Sequence, residues 1–236
     1  MARLPRLTVT GLVHHVLWRG HNGQPIVLDA TDRADCLALL AEQARGAEVQ
    51  VHAYQLRDDR LHLLLTPQQD GALPAWMQAL GRRYVRRFNL RHGRHGTLWE
   101  GRYRCTLVDA DADLLTSMAW LDLMPVMEGG LATPQSNPWS SHGHYAGLRH
   151  ERWLTVPAAY WALGNTPFAR EAAYVERVQQ GVAAADRERL QAALLGGWIT
   201  GSPRFVDQVQ ALTGRRLQKR RAGRPAKPGG PSPRPD

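Results

Sequence analysis

The segment 49–66 constrains this chain more than any other. Residues 49–57, VQVHAYQLR, alternate as a strand does, Asp58-Asp59 is a turn signal, and residues 60–66, RLHLLLT, read as a second strand. The spacing predicts a β-hairpin, and the remaining elements must be built around it. Residues 8–19, TVTGLVHHVLWR, are rich in β-branched and apolar residues and read as an earlier strand. Between them, Asp32 to Arg45 carries a helical stripe at Cys36, Leu37, Leu40 and Ala44. After the hairpin, a long helix is predicted from Pro74 to about Leu90, broken by Gly93 and Gly96. A strand is predicted over 102–108, and a helix from Asp111 to Met124 that Pro125 should end. The order strand, helix, strand, strand, helix, strand, helix is an α+β pattern of the ferredoxin-like kind, an antiparallel sheet carrying helices.

Beyond this unit the pattern changes. Residues 131–165 are loop-rich, with Pro134, Pro138, Pro157 and Gly164, and residues 168–213 read mostly as helices. From about Arg220 the chain is Pro, Gly, Arg and Lys, a composition that cannot bury enough apolar surface to order itself. Three parts are expected: a main α+β domain over 1–150, a helical C-terminal extension over 151–214, and a basic, disordered tail over 215–236.

Charge narrows the partner. The formal net charge is +9, and it is concentrated in two places. Residues 82–104 hold Arg82, Arg83, Arg86, Arg87, Arg91, Arg94, Arg102 and Arg104 against Glu100 alone. Residues 215–236 hold Arg215, Arg216, Lys219, Arg220, Arg221, Arg224, Lys227 and Arg234 against Asp236 alone. Arginine presents a flat fork that fits phosphate, so two separate basic segments point to two contacts with a nucleic acid. Cys36 and Cys105 form no C-x-x-C pair, which leaves no zinc or redox motif. No run approaches the roughly 18 apolar residues of a membrane span, and the N-terminus has no signal-peptide core. A cytoplasmic, nucleoid-associated location is the expectation, with no membrane partner.

Several ordered stretches resemble one family. HHVLWRG at 14–20, LHLLLTP at 61–67, MQALGRRYVRRFNLRHGRHGTLWEGRYR at 77–104, LMPV at 123–126 and NPWSSHGHY at 137–145 are together similar to the REP-associated tyrosine transposases. These are a branch of the single-tyrosine HUH transposases. The resemblance covers about residues 3–150, and 195–225 resembles the C-terminal extension of some members. It implies a tyrosine that attacks a DNA phosphate and a magnesium or manganese ion held by an His-hydrophobic-His motif. It also implies a polar ligand four residues after the tyrosine and a DNA substrate folded as a short hairpin with a single-stranded flank. Members can be monomers or dimers, so a homodimer is possible by resemblance.

The positions that match those functional residues have changed chemistry. The tripeptide corresponding to the histidine motif is Arg60-Leu61-His62, and a guanidinium has no lone pair for a metal. The nucleophile position, five residues before Pro125, is Trp120, whose indole cannot form a phosphoester. The third ligand position, one turn further on, is Met124, a soft donor ill-suited to magnesium. His62 alone is retained. No intact catalytic or metal site is therefore expected, and no cofactor; magnesium or manganese would be required only if the copy were active. Tyr84 falls on an apolar stripe, Tyr103 is expected to be exposed, and His14, His15, His92, His95, His142 and His144 show no metal spacing.

DNA binding does not need the lost atoms. The expected DNA-contacting set is Arg60, Arg82, Arg83, Arg86, Arg87, Arg91, Arg94, Trp99, Arg102 and Arg104, with Arg220, Arg221 and Arg224 in the tail. Arg60 could replace the metal's charge by binding a phosphate. Trp99 could stack on an unpaired base or pin its own loop. KRRAGRPAK at 219–227 resembles the Gly-Arg-Pro core of minor-groove arms, with Ala222 in place of its first arginine. The sequence thus predicts a cleavage-deficient relative that binds single-stranded or hairpin DNA. Its alternatives are an active transposase with an altered site and a nonspecific nucleoid or RNA-binding protein.

Overall fold

In the computed structural model, the structure describes residues 6–46, 48–215 and 217. Four strands, β1 (Val13–Arg19), β2 (Val49–Leu56), β3 (Arg60–Pro67) and β4 (Arg104–Val108), form one antiparallel sheet. Its order is β2-β3-β1-β4, the spatial order of a ferredoxin-like sheet. The hairpin predicted from 49–66 is the β2–β3 pair, and β1 inserts between β3 and β4, with Leu17 opposite both His62 and Arg104.

The unbroken run Leu61 to Leu65 is buried throughout, because helices cover the sheet on both faces and neither side of β3 meets water. On one face Val16, Trp18, Leu63 and Leu65 pack with α1 (Ala30–Ala44) and α2 (Ala72–Arg91). On the other, Leu17 and Leu64 pack with α3 (Leu114–Met127), α6 (Pro167–Gln180) and α7 (Ala184–Gly196). Single turns α4 (His142–Tyr145) and α5 (Ala158–Trp161) lie between α3 and α6. A last helix, α8 (Pro203–Thr213), joins a small cluster with Leu107 and Ile199. Leu190 and Leu194 of α7 share a core with Trp120 and Leu17, so the C-terminal helices pack directly on the sheet-bearing unit.

Element ends shift for local reasons. β1 starts at Val13 rather than residue 8, because Thr10-Gly11 is a turn with Gly11 at φ +77°. α1 starts at Ala30, two residues before the predicted start, because Asp29 caps it by accepting from the Asp32 N–H at 3.0 Å. α2 starts at Ala72, ahead of Pro74, which fits in a first turn where the missing N–H has no partner to lose. Pro125 does not end α3: it sits in the last turn, the helix runs on to Met127, and Glu128 N–H closes it on Met124 O at 3.0 Å. Tyr103 is buried rather than exposed. Among the described residues, no helix is long and apolar enough to cross a membrane.

Candidate functional site

Strand and helix geometry bring the four diagnostic positions together. Arg60 and His62 are i and i+2 on β3 and share a sheet face, while Trp120 and Met124 are i and i+4 on α3 and share a helix face. All four line one cleft of about 290 Å³, with Arg19 at the end of β1 and Arg187 of α7 on its walls. Among the described residues no tyrosine lines it.

Behind the cleft, against His62, lies a second histidine for which the sequence predicted no site role. His15 Nε2 lies 3.0 Å from His62 Nδ1, both rings fully inside the protein, one ring's N–H donating to the other's lone pair. Trp120 presents its indole edge-on to both imidazoles, with centroids 5.7 Å from His15 and 6.3 Å from His62. The only signal for His15 was the strand register: Leu17 opposes His62, so His15, two residues back, projects from the same face. Burial pulls the His15 imidazole down to about 3. Burial also holds His62 well below the usual histidine range, helped by His15 and by the positive charges of Arg60, Arg19 and Arg57.

Those surroundings do not suit a hard dication. His62 shares its Nδ1 with His15, Met124 is a thioether, and three guanidiniums line the space. The nearest carboxylate, Glu128, is held by Arg60 and by Arg57 at 2.8 Å, and Arg60 also bonds Asp59 at 3.0 Å. Among the described residues no group of three or more His, Cys, Asp or Glu side chains is placed to hold a metal. The other histidines have local partners: His142 Nδ1 donates to buried Asp122 at 2.9 Å, which also accepts from the Tyr174 hydroxyl at 2.7 Å. His92 meets Asp32 at 2.9 Å. Tyr84 is a core residue whose hydroxyl donates to Ile26 O at 2.7 Å.

The basic segment is sorted by the fold. On α2, Arg83 pairs with Glu42 at 2.8 Å and Arg87 with Asp35 at 3.4 Å, both across the contact with α1. Arg82 and Arg86 instead border a groove on the other side of the helix. Arg91, at the end of α2, is clamped by Asp29 at 2.7 Å and by Asp32. Arg94 lies over the Phe88 ring at 5.4 Å and donates to Gln24 at 3.4 Å. Arg104 donates to Leu195 O at 2.8 Å, tying β4 to α7, whereas Arg102 is exposed. Trp99 is 5 % exposed and stacked on Trp18 at 4.1 Å and 13°, so one of its ring faces is spent on pinning the loop. Arg220, Arg221 and Arg224, and with them the minor-groove arm and all of the expected tail except Arg215 and Leu217, lie outside the described residues.

Comparison with known proteins agrees with this architecture. A fold match, with 14% sequence identity and a TM-score of 0.51, is a REP-associated tyrosine transposase solved bound to a REP hairpin; it covers 67% of this chain and 93% of that one. A protein of Deinococcus radiodurans R1 described as a transposase is 19% identical over 55% of this chain and 98% of its own, with a TM-score of 0.37. No curated protein sequence matches. The profile of the family described as "Transposase IS200 like" matches residues 8–118, a span from the turn before β1 into the first turns of α3. Through that span the chain is similar to the IS200-like transposases, and its fold is that of a REP-associated tyrosine transposase.

Proposed function

We propose that this chain binds single-stranded or hairpin DNA of the REP-like kind and does not cut it. The observation that carries the reading is the shared cleft of Arg60, His62, Trp120 and Met124. Phosphotyrosine chemistry needs a hydroxyl to attack phosphorus and a cation to take up the developing charge. The cleft offers an indole at the first position and guanidiniums around the second. The same cleft suits binding: Arg19 and Arg187 supply positive charge on its walls where a phosphodiester would lie, without a metal, and Arg60 would exchange its Glu128 carboxylate for the phosphate. The DNA partner is further supported by the fold's likeness to a transposase solved with a REP hairpin.

The test is incubation of the purified chain with hairpin DNA carrying a single-stranded flank, in magnesium and in manganese. A retarded complex on a native gel and no covalent species on a denaturing gel is the expected result. A protein–DNA adduct would restore the active-transposase reading. Equal affinity for hairpin and scrambled strand at matched salt would favour a nonspecific nucleoid or RNA binder instead.

A further inference from the structure

On the sheet face opposite the His62 cleft, a larger groove of about 840 Å³ opens between α2 and the residues leading into β4. Its walls include the buried side chains of Trp18, Met77, Trp99 and Tyr103, and its rim carries Arg82, Arg86 and Arg102. Among the described residues no Asp or Glu lines it. Gly81 of α2 makes the close approach possible: a Cβ there would lie 2.3 Å from the Trp18 ring.

Two features of the groove call for a ligand. The Tyr103 hydroxyl and the Trp99 indole N–H are buried and have no hydrogen-bond partner among the described residues, a standing cost that a polar ring edge would relieve. Among the described residues the rim arginines meet no carboxylate. α2 directs Arg83 and Arg87 to carboxylates of α1, while Arg82 over the groove donates to the Gln78 amide oxygen at 3.5 Å. An apolar, aromatic slot edged by cations fits a flat heteroaromatic ring attached to phosphates. The groove also neighbours the first site through shared lining residues. Arg102 is shared with a small cleft that contains Arg19 and Arg104, and Arg19 in turn lines the His62 cleft.

We infer that this groove is a pocket for one unpaired nucleobase of a DNA strand whose backbone runs past Arg102 and Arg19 to the His62 cleft. The inference rests on the DNA-binding reading above and adds to it a second, base-holding site on the other side of the sheet.

The experiment uses the full chain and a labelled DNA hairpin with an oligo(dT) flank, in which a single abasic position is walked along the flank. One position should weaken binding by at least about five-fold, the low end for loss of one base–protein stacking contact, with neighbouring positions affected far less. Ala75→Trp, at an exposed α2 position on the groove wall, should weaken binding similarly and erase the dependence on abasic position. Arg82→Ala with Arg86→Ala should weaken binding, and Arg83→Ala with Arg87→Ala should not. A melting temperature for each variant checks folding; should Ala75→Trp unfold, the two arginine pairs decide. Equal losses at every abasic position, or equal effects of the two arginine pairs, overturn the pocket while leaving DNA binding intact. Failure of the unmodified chain to bind any hairpin or strand overturns both readings.

Discussion

Trp120 packs edge-to-face against a neutral imidazole pair, and that pair should govern how the protein responds to acid. Burial draws His14 down to about 4 and His15 down to about 3, and lowers His52 and His62 as well. A histidine kept neutral in the fold binds its proton only in the unfolded chain, so its contribution is complete above the unfolded value near pH 6.5. That contribution falls as pH drops toward the folded value. Each such histidine should cost about 1.4 kcal/mol per pH unit across that window. Asp29, Asp32 and Asp109, whose carboxyls are lowered by their partners, lose their contribution only below about pH 4, and so do not mask the effect. The urea midpoint should therefore fall steeply between about pH 7 and pH 5. A flat midpoint over that range would mean that the imidazoles are accessible to protons in the fold.

Among the elements, the end of β4 shows how one carboxylate organises several. Asp109 accepts from Ser202 N–H at 3.0 Å and Ser202 Oγ at 2.8 Å, tying the cap of α8 to the sheet, and from the Asp111 and Ala112 N–H groups ahead of α3. That turn is why α3 starts at Leu114 and not at Asp111. Asp109→Ala would remove the shared acceptor of the partly buried Ser202, Asp111 and Ala112 donors, a cost of about 1 kcal/mol or more. The amides of α8 should then exchange with solvent faster than those of α2. Unchanged exchange over 203–213 would show that α8 is held by its apolar contacts alone. The same scale explains the misplaced helix ends: Asp29 and Pro74 are capping and first-turn residues whose positions became legible only once the flanking chain was in place.

For the molecule as a whole, the +9 charge overstates what is available to DNA. Arg83, Arg87 and Arg91 are engaged by carboxylates, and Arg104 by a backbone carbonyl. Arg19, Arg82, Arg86, Arg102 and Arg187 border the two clefts and the groove. Five phosphate contacts on a single strand correspond to a slope of about −3.5 in log affinity against log salt, at roughly 0.7 per phosphate. A titration between low and moderate salt measures it. A slope twice as steep would mean that the paired arginines, or the basic segment from 215 onward, also reach the strand.

The sequence determined the kind of fold and the side-chain chemistry at positions 60, 120 and 124. The hairpin period, the buried leucine run and the order of strands and helices are local patterns, and whether a side chain has a phenolic oxygen or a metal-binding lone pair is a property of that residue alone. What the residues could not state by themselves was neighbourhood. His15 meets His62 because of a strand register, the α2 arginines divide because α1 lies on one side of the helix, and Trp99 is buried because Trp18 stacks on it. The groove exists because Gly81 lets that indole approach. Each of these depends on contacts between segments distant in the chain, and such contacts are fixed by the packing of both sheet faces, not by the pattern of any one segment.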